Sequence, residues 1–146
     1  TTFSRLQGLD GNSKMSKSLN NTILLSDSPD IVSQKLRKAV TDPQKLRKND
    51  PGRPEVCLVF TYQKKFNPSE VGEIEENCRS GALGCVDCKA KCSAGINKFL
   101  APILEKRNYY ENNRNEVLDV LNDGETKARA VAKQTMEEVR QKMKFG

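Results

Sequence analysis

The sequence predicts a mainly α-helical chain from residue 26 onward, and three observations carry that prediction. Ser28-Pro29-Asp30 and Asn67-Pro68-Ser69-Glu70 both read as helix starts, with a capping side chain, a proline of pre-set φ and an acid in the first turn. Apolar residues recur at intervals of three and four, most regularly at Ala128, Val131, Ala132, Thr135, Met136, Val139 and Met143. Only Val56 to Tyr62 has strand-like composition, and its periodicity does not decide between strand and helix.

The elements follow in order. Leu9-Asp10-Gly11-Asn12 is a turn signal, and the polar KMSKS segment after it, residues 14 to 18, reads as a loop. The helix opened by Ser28 places Val32, Leu36, Ala39 and Val40 on one face and should end before Asp42-Pro43. A charged, proline-broken loop then runs to Pro54, where a second helix or a strand begins. The third helix carries Val71, Ile74 and Cys78 on one face, with Gly81 after its end. A loop holding Cys85, Cys88 and Cys92 is expected next. Ile96, Leu100, Ile103 and Leu104 mark another helix, and Pro102 inside it predicts a kink or a break. Val117, Leu118 and Leu121 predict a short helix closed by Gly124, and the stripe from Ala128 to Met143 predicts a final helix packed on the core.

A chain of 146 residues suffices for one ordinary domain with a real core. Aromatic residues are only 5 % and tryptophan is absent, so Leu, Ile and Val must fill that core. No apolar run reaches the length of a membrane span and no secretory leader opens the chain, so a cytoplasmic protein without a membrane partner is expected. The net charge of +6 is concentrated between Lys35 and Arg53, which serves either as a solvated helix face or as a surface for phosphates. The complete lack of histidine excludes Ser–His–Asp chemistry, histidine acid–base catalysis and Cys2His2 zinc sites within the chain.

Lysines and serines beside a tight turn suit polyphosphate, because an ammonium can follow charge that shifts during reaction and hydroxyls add donors. The KMSKS string is specific enough that chance explains it poorly. It is the second signature of class I aminoacyl-tRNA synthetases. The stretch SRLQGLDGNSKMSKSLNN, followed by TDP at Thr41–Pro43, VFTY at Val59–Tyr62, FLAPILEKR from Phe99 and GETKARAVAKQTMEEVRQKM from Gly124, resembles bacterial-type tryptophanyl-tRNA synthetases along essentially the whole chain. The resemblance implies a C-terminal portion, whose Rossmann-like sheet, HIGH-like signature and tryptophan pocket lie elsewhere. Residues 1–25 would then end the catalytic domain and carry the KMSKS loop, and residues 26–146 would form a helical anticodon-binding domain.

The implied enzyme is a tryptophan–tRNA ligase using ATP and Mg2+, with tRNA(Trp) as partner and a homodimer as full-length assembly. The fragment alone would be inactive. Lys17 would hold the departing pyrophosphate with help from Lys14. Met15 would lie near the adenine, and Ser16 and Ser18 would shape the loop or donate hydrogen bonds. The alternatives are a tyrosyl-tRNA synthetase fragment, a close relative, or a free-standing metal-binding module for RNA.

Five cysteines without a secretory signal argue against a disulfide framework. Four of them, Cys78, Cys85, Cys88 and Cys92, lie close together, and the C-x6-C-x2-C spacing from Cys78 suggests metal. Four thiolates suit zinc or an iron–sulfur cluster equally well. The resemblance favours a [4Fe–4S] cluster over zinc, with Cys57, Cys78, Cys85 and Cys88 as ligands. The first gap is slightly shorter than the family's, which keeps Cys92 open as the alternative. Lys89, Lys91 and Lys98 nearby could face an RNA backbone, with Tyr62, Phe66, Tyr109 and Tyr110 as candidates for stacking on bases.

Overall fold

The structure is a computed structural model that describes residues 6–12 and 14–144; Ser4, Arg5 and Ser13 of the signature stretch lie outside the described residues. Five helices follow in order: α1 (Pro29–Lys38), α2 (Leu58–Phe66), α3 (Val71–Arg79), α4 (Cys85–Asn112) and α5 (Arg114–Met143). Single 3-10 turns precede α1 and α2, at Lys17–Leu19 and Pro54–Val56. Among the described residues there is no strand, only an isolated antiparallel bridge between Gln7 and Lys14. The mainly α expectation holds.

The chain divides into two compact units, Thr1–Leu104 and Glu105–Gly146. The first contains the KMSKS segment together with α1 to α3 and α4 as far as Leu104. Its core joins Val32, Leu36 and Ala39 of the α1 segment to Leu58, Val59 and Tyr62 of α2, Ile74 of α3, and Cys92, Ile96 and Leu100 of α4. Aliphatic side chains supply most of this burial, as the scarcity of aromatics requires. In the second unit α5 has no buried residue at all. The expectation that its stripe packs on the core is therefore corrected: Val131 is 66 % exposed and Met143 is 60 % exposed. Its helix is supported along its surface by four-residue-spaced pairs such as Lys127–Asp123 at 2.6 Å and Arg129–Glu125 at 2.6 Å.

Local signals decide the ends of α1. The Ser28 hydroxyl accepts from the Ile31 amide at 3.4 Å, and proline and Asp30 follow in the first turn. Val56–Tyr62, which was open between helix and strand, is helical from Leu58 because its apolar residues meet the core on more than one side. Two further expectations are overturned. Cys85, Cys88 and Cys92 do not lie in a loop; they occupy the first two turns of α4, where spacings of three and four put them on neighbouring positions of one face. Nor does Pro102 break α4, which is continuous through it, because the carbonyl it leaves unpaired belongs to exposed Lys98 and can bind water. Gly124 likewise fails to close a short helix. It sits within α5 with open space around it, and its cost there is only about 1 kcal/mol.

The basic segment before Pro54 is ordered by carboxylates. Asp42, 4 % exposed, accepts from the Gln44 amide at 3.0 Å, the Arg53 amide at 2.9 Å and the Arg53 guanidinium at 2.6 Å. The Arg53 side chain and then the Gln44 amide hold this carboxyl well below the usual carboxylate range. A depressed folded value means the stabilisation is complete above the unfolded value near 3.9 and fades as pH falls from there through the folded value. Asp42→Asn is expected to melt at lower temperature than the parent at neutral pH. The gap should narrow below about pH 4 as the parent loses the same interaction. A gap that stays constant from neutral pH into strong acid would contradict this.

Candidate functional site

The KMSKS segment is tied at its base. Gln7 and Lys14 form the antiparallel bridge, with the Met15 amide donating to the Leu6 carbonyl at 3.3 Å. Between them the chain turns tightly: the Gly11 amide donates to the Gly8 carbonyl at 2.9 Å, and Gly11 has φ of 76°, a conformation that glycine adopts without steric cost. Beyond the motif, Lys17–Leu19 makes one 3-10 turn that ends in left-handed Asn20 with φ of 51°. The Ser16 and Ser18 hydroxyls are hydrogen-bonded to each other at 2.8 Å. Lys14 and Lys17 are exposed, and among the described residues no carboxylate pairs with either.

Asn21 joins the parts. It is 3 % exposed, and its carbonyl accepts from the Leu9 amide at 2.9 Å. Its side-chain oxygen accepts from the Ser16 amide at 2.7 Å, and its side-chain nitrogen donates to Asp10 at 3.1 Å. A Cβ at Gly8 would overlap this amide, so glycine is required there. From outside the segment, the Val40 amide donates to the Leu9 carbonyl at 3.0 Å and the Tyr62 hydroxyl donates to the Gln7 carbonyl. Sequence reasoning named all five motif residues but missed Asn21 and Asp10, and offered Tyr62 only as a base-stacking candidate. The signal available was the asparagine pair directly after the motif.

The cysteines share a neighbourhood without forming a finished metal site. Cys57 caps the start of α2, Cys78 is near the end of α3, and Cys85 and Cys88 are one turn apart on α4. Burial raises the Cys78 thiol; Lys45 opposes this, and Cys57 and Cys85 add to it. Burial pushes the Cys88 thiol up to about 11 against the hydrogen bond from Gln63, with Cys57, Cys78 and Cys85 contributing. All five cysteines are free, and among the described residues no three His, Cys, Asp or Glu side chains are grouped so as to hold a metal ion. The expectation that Cys57, Cys78, Cys85 and Cys88, or Cys92 in place of Cys57, converge on an iron–sulfur cluster or zinc finds no support in this arrangement of thiols. Cys92 differs from the others: it is fully buried beside the apolar core, which pushes its thiol up to about 12.

The candidate RNA-facing groups divide similarly. Lys35 pairs with Asp27 at 2.5 Å, Lys45 is buried and donates to the Asp50 carbonyl, and Lys91 pairs with Glu70 at 2.7 Å. Arg37, Lys38, Arg47 and Lys98 are exposed. Tyr62 is fully buried and is no stacking platform; Phe66 packs edge-on between Tyr62 and Phe99. Tyr109 and Tyr110 are exposed and meet edge to face at 5.3 Å.

The loop is thus tied at its base and, among the described residues, bears two ammonium groups without an ion pair. The family described as tRNA synthetases class I (W and Y) matches residues 1–101. The chain belongs to this synthetase family. A tryptophan–tRNA ligase of Aquifex aeolicus is 48 % identical over 141 residues, which are 95 % of this chain and 35 % of that protein. The ligase of Deinococcus radiodurans is 42 % identical, covering 97 % of this chain and 43 % of that protein. Among solved structures, the tryptophanyl-tRNA synthetase of Campylobacter jejuni in complex with ADP and tryptophan superposes with a TM-score of 0.86 at 28 % identity, over 97 % of this chain and 44 % of that one. The chain thus spans less than half the length of these synthetases, and its helical fold is theirs.

Proposed function

We propose that this chain is the C-terminal part of a tryptophan–tRNA ligase, contributing the KMSKS loop from residues 1–25 and a helical anticodon-binding domain from residues 26–146. The observation that carries the reading is the loop itself: Lys14 and Lys17 stand unpaired on a segment fixed by Asn21, in a chain 48 % identical to a ligase of this specificity. The relatives given above are specific for tryptophan, which favours it over tyrosine.

In the proposed reaction a carboxylate oxygen of tryptophan attacks the α-phosphorus of ATP, and the bond from that phosphorus to the oxygen bridging to the β-phosphate breaks. Negative charge accumulates on the departing pyrophosphate. Lys17, assisted by Lys14, neutralises it; Mg2+, when bound in the intact enzyme, would supply further positive charge there. Met15 lies near the adenine, and the Ser16–Ser18 hydrogen bond keeps the loop's shape. The aminoacyl group then passes to tRNA(Trp), whose anticodon meets the helical domain. The exposed cations Arg37, Lys38, Arg47 and Lys98 are suited to its phosphates. The intact enzyme is a cytoplasmic homodimer on this reading.

We infer further that Cys57, Cys78, Cys85 and Cys88 close on a [4Fe–4S] cluster. Cys57 at the start of α2, Cys78 near the end of α3, and Cys85 and Cys88 on the first turn of α4 offer four soft sulfur donors, which suit iron as they would zinc. When bound, the cluster would cross-link the starts of α2 and α4 to the end of α3.

The reading is tested by tryptophan-dependent ATP–pyrophosphate exchange. The intact protein should catalyse it, and residues 1–146 alone should not, because the nucleotide and amino-acid pockets lie outside them. Exchange by the isolated chain, or with tyrosine in place of tryptophan, would overturn the assignment.

A further inference from the structure

We propose that Tyr62 is a positioning residue for the KMSKS loop: its buried hydroxyl, donated to the Gln7 carbonyl, fixes the bridge from which Lys14 and Lys17 project. The proposal rests, for its kinetic consequence, on the tryptophan-activation reading. Gln7 pairs directly with Lys14, so a single residue separates the phenol from the signature. The two partners are 55 positions apart in sequence, and the bond joins the helical bundle to the loop.

Tyr62 cannot follow the loop if the loop moves. Its side chain is fully buried and meets Phe66 edge-on at 6.4 Å. The next residue, Gln63, is also fully buried; it donates to the Cys88 carbonyl at 2.8 Å and accepts from Asn67 at 2.6 Å. Leu58, Val59 and Phe60 of α2 are buried as well. Displacing the bridge therefore strands a phenol hydroxyl in the core, which a protein interior strongly disfavours. The loop is held where a rigid helix places it. Misplacement of a charge-stabilising group by about 1 Å is enough to lower a rate by up to a hundredfold.

The test is Tyr62→Phe in the intact enzyme, which deletes one oxygen and keeps the ring packing. Pyrophosphate-exchange kcat should fall about tenfold, while the KM for tryptophan and the affinity for tRNA(Trp) stay at parental values. Amide hydrogen exchange should quicken over residues 14–21 and remain unchanged in α2 and α3. Para-aminophenylalanine at position 62, which returns a donor, should restore both. Parental kcat in Tyr62→Phe overturns the proposal. So does parental protection of residues 14–21, a general loosening of α2 to α4, or failure of the amino analogue to restore. If the parent enzyme itself shows no exchange, the tryptophan-activation reading fails, and the amide measurement alone still decides the role of Tyr62.

Discussion

Lys17→Ala in the intact protein is expected to lower tryptophan-dependent pyrophosphate exchange on the order of a hundredfold while leaving the KM for tryptophan little changed. The lysine is exposed, begins a single 3-10 turn and has no ion pair among the described residues, so removing it costs the fold almost nothing. On the proposed reading, what is lost is an ammonium that meets charge only as the bond to pyrophosphate breaks, and such an interaction acts on rate and not on ground-state binding. Arginine at the same place should recover only part of the activity, because its planar fork cannot reproduce a compact point charge. An unchanged rate with a raised tryptophan KM would show that Lys17 binds substrate and does not serve the reaction.

Protein prepared without oxygen is expected to be brown and to contain about four irons per chain. Cys85→Ser should abolish the colour and speed amide exchange from Cys78 through the first turns of α4, leaving α5 as it was. Cys57→Ser should behave alike. Cys92→Ala should keep the iron, since that thiol is buried among Ile96, Leu100 and their neighbours. Its effect belongs to packing and should appear as a lowered melting temperature. Loss of iron in the Cys92 variant with retention in Cys57→Ser would transfer the fourth ligand to Cys92. Anaerobic protein with neither iron nor colour would remove the cluster from the proposal.

Several parts of this were legible in the residues. The Ser28-Pro29-Asp30 start of α1 is decided by chemistry within one turn, and the structure keeps it. The KMSKS string is specific and its residues are neighbours in the chain, so the family it points to needed no tertiary information. The cysteines misled for the opposite reason. Reading them as ligands placed them in a loop, although their spacings of three and four are equally those of a helix face. Gly124, expected to close a short helix, and Pro102, expected to kink or break another, both lie where solvent can satisfy or tolerate what they disrupt. The final stripe has core-like periodicity but no buried residue, because periodicity shows which residues would face a partner and not whether one is present. Tyr62, named only as a base-stacking candidate, has a tie to the loop that the residues do not announce. Its hydroxyl finds a backbone carbonyl 55 residues away, and no local pattern marks such a meeting.

The bonds that gather residues 7–12 and 14–21 around Asn21 bear on the timing of an entropic cost. A free loop of this kind would surrender backbone freedom each time nucleotide arrived, at roughly 1–2 kcal/mol for every residue ordered. Here the Leu9–Asn21, Ser16–Asn21 and Asp10–Asn21 contacts order the segment during folding, once per molecule and not once per turnover. On the proposed function, the binding energy of an incoming triphosphate is then free to favour the reaction itself.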